Sequence, residues 1–294
     1  MFGLLTSARL LNPVRTTRIV APTFAVMAIA WMSSWSAFAD DPKPETPDEK
    51  ELARRALEIS RKEASLWELE LGTDRPTKLK LNADPVLRWS NPAAGEIYGA
   101  VFVWTSNGRP QVVGSIYKWY SPHKHYSTEF QSLAETTMVG SRDGQKMWTP
   151  ARPGIVFKPV PQAPEPAEGA AVRLRQMREI AGDFVATKTD REGNQQKMRL
   201  LTQPIYRYAS KDAGLLDGGL FTFVEGTDPE VFLLLEARRD KDRYNWQYAL
   251  TRMNSTRFEA TYKGAQVWNV EVLPWNQVRD HNEPYTTYQY NTTE

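Results

Sequence analysis

Two histidines and a glutamate form the sharpest local pattern in the chain. His123 and His125 lie two positions apart, so in a strand their side chains project from one face, and Glu129 lies further along that face. Imidazole and carboxylate groups are ordinary ligands of zinc, iron and manganese ions. We interpret the pair as a solvated, basic hairpin end without a metal, because Ser121 and Pro122 precede it and indicate a turn, and the metal site is the alternative.

These seven residues resemble the first metal-binding motif of cupins, H-x-H-x3-E. The resemblance implies a metal-dependent enzyme in which His123, His125 and Glu129 are ligands. It is partial, because the glycine that cupins carry six positions before the first histidine is Tyr117 here. The second cupin motif needs its own histidine, and none follows before His281.

Three acidic residues, Glu225, Asp228 and Glu230, cluster at a turn between two predicted strands. Paired carboxylates can supply acid and base catalysis in a hydrolase. Acidic residues in strand-connecting turns are more often simply solvated, and we interpret them so. The chain has no cysteine and three histidines, and it lacks the glycine-rich phosphate and nucleophile motifs. We therefore predict no catalytic residue and no cofactor.

Aromatic residues at alternate strand positions are the remaining candidates for ligand contact. Such rows can stack on sugars or line an apolar pocket, although the same spacing is typical of cross-strand packing in a core. The candidate ligand-binding residues are Trp104, Trp119, Tyr206, Tyr208 and Trp246. The sequence favours a non-catalytic binding or structural module, which would use an aromatic-lined sheet face or a cleft. Its partner would be a small molecule, a glycan or an envelope protein.

One stretch of the chain occurs twice. Lys78–Val112 aligns without a gap with Lys197–Val231, and 10 of the 35 positions are identical. Composition alone would give about two identities. Alternation of polar and apolar residues does not demand matching glycines, yet Gly99 aligns with Gly218. The pattern predicts an internal duplication.

The pattern of helices and strands also repeats. A helix is predicted from Pro47 to about Glu63 and another over residues 172–181, and each precedes short segments of period two. Asn107-Gly108 predicts a hairpin. Connections this short make the strands antiparallel. The predicted fold is α+β, with two tandem related halves, each a helix followed by a curved antiparallel β-sheet.

The predicted boundaries divide the chain into six segments. They are a signal peptide over 1–39, a disordered leader over 40–49, a first repeat over 50–158, a proline-rich linker over 159–169, a second repeat over 170–273 and a polar, irregular C-terminal tail over 274–294.

The first 39 residues have the order of a bacterial export signal. Three arginines precede the apolar run Ile19–Met32, and Ala37-Phe38-Ala39 is a small-residue cleavage site. The uncharged run Ile19–Ala39 is long enough to span a bilayer, so membrane contact is expected only if it stays uncleaved. Export without a cysteine indicates a bacterial protein that needs no disulfides.

The charge balance excludes one class of partner. Without residues 1–39 the chain holds 34 basic and 35 acidic side chains, and its formal charge is −1. Such a chain has no net field that would attract a polyanion. Nucleic acid is therefore not expected as a partner.

The run Leu200–Arg238, which reads LLTQPIYRY at its start and ends in FLLLEAR, resembles exported proteins of planctomycete-type bacteria. This resemblance implies a secreted or periplasmic location in the cell envelope. It implies no activity.

We predict that the exported protein begins at Asp40, because the small-residue cleavage site directly precedes it. N-terminal sequencing or intact mass of the exported protein checks this. A chain that keeps Met1 and fractionates with membranes would instead mean that the apolar run is an anchor.

Overall fold

The computed structural model describes residues 46–210 and 214–291. The predicted signal peptide and its cleavage site lie outside the described residues. No helix within the described ranges combines the length and apolarity that a membrane crossing needs. The first half contains α1 (Pro47–Ser65), β1 (Trp67–Leu71), β2 (Thr77–Lys78), β3 (Lys80–Leu81), β4 (Leu87–Ser90), β5 (Glu96–Ser106), β6 (Arg109–Ser121), β7 (His125–Ser132), β8 (Met138–Arg142) and β9 (Gln145–Trp148).

The second half repeats this order after the short strand β10 (Lys158–Pro159). It contains α2 (Ala170–Gly182), β11 (Phe184–Thr189), β12 (Gln195–Lys197), β13 (Arg199–Leu200), β14 (Tyr206–Ser210), β15 (Leu215–Glu225), β16 (Asp228–Asp240), β17 (Arg243–Arg252), β18 (Arg257–Tyr262) and β19 (Ala265–Val270). The chain continues through α3 (Trp275–Val278) and β20 (Tyr285–Asn291).

Helix α1 forms where its capping signals predict a helix. Thr46 caps the N-terminus, and Glu49 returns its side chain to the Thr46 backbone N–H, which completes a capping box. The helix buries Ala56, Ser60 and Ala64. The Ser60 hydroxyl donates to the carbonyl of Ile116 at 3.0 Å, which fixes α1 on strand β6.

The strands form four antiparallel sheets. The first large sheet has the order β20-β7-β6-β5-β3, and β4 also pairs with β5. The second has the order β10-β17-β16-β15-β13, with β14 on β15. The smaller sheets are β2-β1-β8-β9 and β12-β11-β18-β19. The α+β class and the antiparallel sheets predicted from the sequence are confirmed.

Alternate residues of the long strands enter different cores. In β5, Phe102 and Trp104 face a core shared with α1 and the first small sheet, whereas Val101 and Val103 face the other large sheet. We call the apolar layer between the two large sheets the inter-sheet core. It consists of Trp89, Ile97, Val101, Val103, Val113, Leu133, Ile155, Tyr208, Leu215, Leu220, Phe232, Leu234, Ala249 and Met253.

Two predictions about connecting segments have different outcomes. Asn107 and Gly108 join β5 to β6 with φ angles of 48° and 82°, as a two-residue hairpin turn requires. Residues 274–294, predicted to be irregular, instead include α3 and β20, and β20 pairs with β7 along its whole length. The tail looked irregular because its residues are polar, yet Tyr285 and Tyr288 are buried when β20 covers the edge of β7.

Two glycines let aromatic rings lie flat on the large sheets. A methyl group on Gly99 would come within 2.2 Å of the Trp89 ring, and one on Gly218 within 2.6 Å of the Tyr208 ring. Trp89 pairs with Gly99 across β4 and β5, and Tyr208 pairs with Gly218 across β14 and β15. Both rings belong to the inter-sheet core.

We expect Gly99→Ala to lower the free energy of unfolding by about 1–3 kcal/mol, because overpacking moves a buried ring from its position. Urea denaturation measures the change. Gly182→Ala is the matched control, since nothing lies within 4 Å of the added methyl group. Equal stabilities of the two variants would show that Trp89 moves freely and that Gly99 is not required for the packing.

Candidate ligand cleft and buried acid cluster

The turn of each long hairpin contacts the opposite half. The Thr227 hydroxyl, between β15 and β16, donates to the carbonyl of Ser90 at 2.6 Å and accepts from its backbone N–H at 2.9 Å. In the other direction, the Tyr206 hydroxyl donates to the carbonyl of Gly108 at 3.3 Å. These contacts hold the two halves together, so polar groups on the inner faces of the two large sheets lie between the halves.

One such group is a buried ion pair that joins the halves. Arg109 of β6 donates through Nε to Oε1 of Glu236 in β16 at 2.9 Å. The Tyr208 hydroxyl donates to the same oxygen at 2.8 Å, and burial raises the pKa of Tyr208 well above its ordinary value. Removing Glu236 would leave Arg109 as a buried, uncompensated charge, whereas Glu236 would keep Arg238, whose Nε lies 3.5 Å from its other oxygen.

The second polar group consists of four carboxylates from both halves and one lysine, and we call it the acid cluster. It comprises Glu129, Asp228, Glu230, Glu225 and Lys188. Lys188 donates to Glu225 at 2.6 Å and to Glu230 at 2.7 Å. Glu230 is 2% exposed, and its second oxygen has no hydrogen-bond partner among the described residues.

Glu129 is bonded within the acid cluster by tyrosines. Its Oε1 accepts from the Tyr285 hydroxyl at 3.2 Å and from the Tyr117 hydroxyl at 3.4 Å. Burial, with repulsion from Glu230 as a second cause, raises the pKa of Glu129 to about 8. Burial also raises the pKa of Glu230 to about 7, against the opposing effect of Lys188, and raises that of Asp228. The acid cluster therefore holds protons near neutral pH.

The sequence interpretation of the turn acids is wrong for Glu230. Glu225, Asp228 and Glu230 were expected to be solvated because they surround a turn. The turn instead packs against the first half through Thr227, so Glu230 is 2% exposed and Asp228 is only partly exposed. Sequence spacing within one strand gives no sign of such an approach from a distant segment.

The structure separates the residues of the predicted metal site. The rings of His123 and His125 lie 5.9 Å apart, at 5.1 and 6.3 Å from the Trp119 ring. Glu129 is four residues from His125 in strand β7, and four residues of strand span roughly 13 Å. Within residues 46–210 and 214–291, no group of three His, Cys, Asp or Glu side chains could hold a metal ion.

The candidate aromatic residues lie in three different cores and do not form one surface. Trp104 is buried in the core beside α1, and Trp246 in the corresponding core beside α2. Tyr208 is buried in the inter-sheet core, and Trp119 and Tyr206 pack at its margin. Alternation of residues along a strand indicates that these aromatic side chains pack in apolar layers. It gives no information on which of those layers a ligand can reach.

A cleft of about 660 Å³ lies beside these elements. We call it the ligand cleft. Its apolar walls come mainly from Ile155, Tyr248, Leu250, Val267, Trp268 and Val270. Its polar residues include Arg252, Gln131 and Tyr285. Both halves and the C-terminal segment contribute to it, and Tyr285 connects it to the acid cluster through Glu129.

The sequence analysis missed three residues of this region, Lys188, Arg252 and Tyr285. Lys188 and Arg252 lie in ordinary strands, where a cation predicts only a solvated face. Tyr285 fell in the segment predicted to be irregular. One signal for Arg252 was available in the sequence: it follows Tyr248 and Leu250 at alternate positions, which predicts that its side chain lies on the same apolar face.

Comparisons with known proteins give no relative of this chain. No protein-family model, curated protein or solved structure matches it. The geometry of the ligand cleft and the acid cluster is therefore the basis for any functional proposal.

We expect the free energy of unfolding to fall as pH rises from about 5 to about 8. In this range the folded protein keeps protons on Glu129 and Glu230 that the unfolded chain has already released. Glu129→Gln should be more stable than the wild type at pH 8.5 by about 2–4 kcal/mol, since one pKa unit corresponds to about 1.4 kcal/mol. Near pH 4.5 the two proteins should be equally stable. Urea denaturation across pH measures both.

Glu179→Gln is the control for this experiment, because Glu179 lies on α2 with a side chain that is 69% exposed. Its pH profile should follow that of the wild type. A Glu129→Gln profile parallel to that of the wild type would show that Glu129 does not retain a proton in the folded protein.

Proposed function

We propose that the protein is an exported binding module that takes a small, largely apolar molecule into the ligand cleft. The observation that carries this proposal is an apolar-walled opening of about 660 Å³ at the junction of the two halves. Clefts of roughly 300–1,000 Å³ with apolar walls and few polar groups are typical of small-molecule sites.

The margin of the cleft supports the same function. Among the described residues, four large hydrophobic side chains are exposed, and two of them line this cleft: Val156, which is 71% exposed, and Val272, which is 40% exposed. A third, Trp275, follows Val272 by three residues. An exposed apolar margin around a cleft indicates a surface that another molecule covers.

The cleft is favoured over an aromatic sheet face as the binding surface. Trp104, Tyr208 and Trp246 are buried in the cores, so they stabilise the sheets and leave no open row of rings for a glycan. Trp268 is half-buried and lines the cleft, where it can contact a ligand.

Export to the periplasm or beyond belongs to this proposal. It is supported by the basic, apolar and small-residue order of residues 1–39, by the resemblance of Leu200–Arg238 to exported proteins and by the absence of cysteine. A small molecule is the proposed partner, and the near-zero formal charge of the exported chain disfavours nucleic acid.

We also propose that the two halves arose by internal duplication. Three observations support it: the gapless alignment of Lys78–Val112 with Lys197–Val231, the common strand order of the halves, and the equivalent positions of Gly99 and Gly218 beneath aromatic rings. The residues of the acid cluster are not all matched at the aligned positions of the first half. Arg109, for example, stands where the second half has Asp228.

We expect the wild type to bind the uncharged dye N-phenyl-1-naphthylamine, whose emission rises in apolar surroundings, and Val270→Trp to weaken binding at least about ten-fold. The larger ring would fill space along the wall of the cleft. Fluorescence titration measures the affinity, and thermal unfolding verifies that the variant is folded. Val267→Trp, on the same wall, is a second blocking variant.

Val172→Trp is the matched control, because Val172 is exposed on α2 and does not line the cleft. It should bind the dye as the wild type does. A wild type that binds no dye, or folded Val270→Trp and Val267→Trp variants with unchanged affinity, would overturn the proposed function.

A further inference from the structure

Arg252 differs from the other buried arginines of the described chain. Three arginines are nine-tenths buried there, namely Arg109, Arg173 and Arg252. Arg109 pairs with Glu236 at 2.9 Å, and Arg173 pairs with Asp217 at 2.8 Å. Arg252 is 7% exposed and forms no ion pair with any described residue.

The hydrogen bonds of Arg252 are also incomplete. Its Nη2 donates to the carbonyl of Glu271 at 2.5 Å, but its Nη1 is buried without a partner among the described residues. Burial lowers the pKa of Arg252 to about 10, with Tyr285 and Glu271 acting in the opposite direction. A buried guanidinium with neither a counter-charge nor a full set of acceptors is unfavourable unless another molecule supplies them.

Arg252 lies where a ligand could supply that charge. It shares one face of β17 with Tyr248 and Leu250, and all three line the ligand cleft. The polar carbonyl of Glu271 and the apolar side chain of Val270 line it as well. Arg252 is therefore a buried cation beside apolar side chains of the cleft wall.

The other charged groups of the cleft already have partners. Glu271 pairs with Arg257 at 3.8 Å, with its carboxylate 70% exposed. Glu283 pairs with Arg152 at the surface. The Lys158 ammonium donates to the carbonyl of Val267 at 3.3 Å. Lys158 and Arg252 thus each donate to a carbonyl without an ion pair among the described residues, and of the two only Arg252 is buried.

We propose that the ligand of this cleft is an amphiphile, an apolar chain or ring system that ends in one anionic group, and that Arg252 binds the anionic end. This inference rests on the proposed function. The apolar body would contact Leu250, Val267 and Val270, with the exposed Val156 and Val272 at its outer end. A guanidinium binds carboxylates through charge-assisted hydrogen bonds, which gives this orientation its specificity.

The test compares decanoate with 1-decanol, two probes of the same chain length, as competitors of the bound uncharged dye at pH 8 and below their aggregation limits. The wild type should bind decanoate at least about ten-fold more tightly than decanol. Arg252→Met should remove this preference by lowering the decanoate affinity about ten-fold, a much larger effect than on decanol or the dye, which lack an anionic group.

A folding readout separates this role from a structural one. Since Arg252 has no carboxylate partner among the described residues, Arg252→Met should not lower the melting temperature. Arg173→Met should lower it clearly, because it removes a buried ion pair with Asp217 and hydrogen bonds to the carbonyls of Ala167 and Glu168. Arg175→Met, at an arginine 70% exposed on α2, is the control for charge and should keep the decanoate preference.

The outcomes distinguish the two proposals. If the wild type binds the dye but decanoate and decanol compete equally, the proposal that the ligand has an anionic end is refuted. The proposal that the cleft binds an apolar molecule is then retained. A decanoate preference that survives in folded Arg252→Met also refutes the role of Arg252. If neither dye nor probe binds, the proposed function itself fails.

Discussion

The central strands β5, β6, β15 and β16 bury residues on both of their faces, and the rest of the structure depends on covering both. The outer face of each large sheet is covered by a helix and a small sheet of its own half. The inner face can be covered only by the other half, because the strands alternate between the two layers. Neither half is therefore expected to be a stable domain by itself, although each has its own outer core.

That constraint explains the polar chemistry between the halves. Once two inner faces are packed together, every ionisable group on them must be paired, protonated or reached by an outside molecule. Arg109 and Glu236 are paired, and burial raises the pKa of Glu129 to about 8. Arg252 lies on the opposite, outer face of β17 with Tyr248 and Leu250, and it has no ion pair within the described chain. The cleft lies at the margin of the packed layers, where both halves end and the C-terminal segment crosses.

The sequence predicted the features that depend on near neighbours. The capping box of α1, the Asn107-Gly108 turn and the period-two strands are local, so they formed where their signals lie. The acid cluster and the cleft could not be predicted in this way, since they arise where Glu129 meets Glu230 from a segment about one hundred residues away. Strand periodicity predicts that Trp104 and Trp246 pack in an apolar core, but it does not specify which layer covers them.

The pairing of β20 with β7 has a consequence for folding during synthesis. β7 is an edge of the first large sheet until residues 285–291 arrive, and those residues are made about 150 positions later. During translation that edge stays open, with unpaired backbone groups that can join other strands. Closing it requires a contact between distant parts of the chain, which slows folding. Such a chain reaches its final form only after residues 285–291 have left the ribosome.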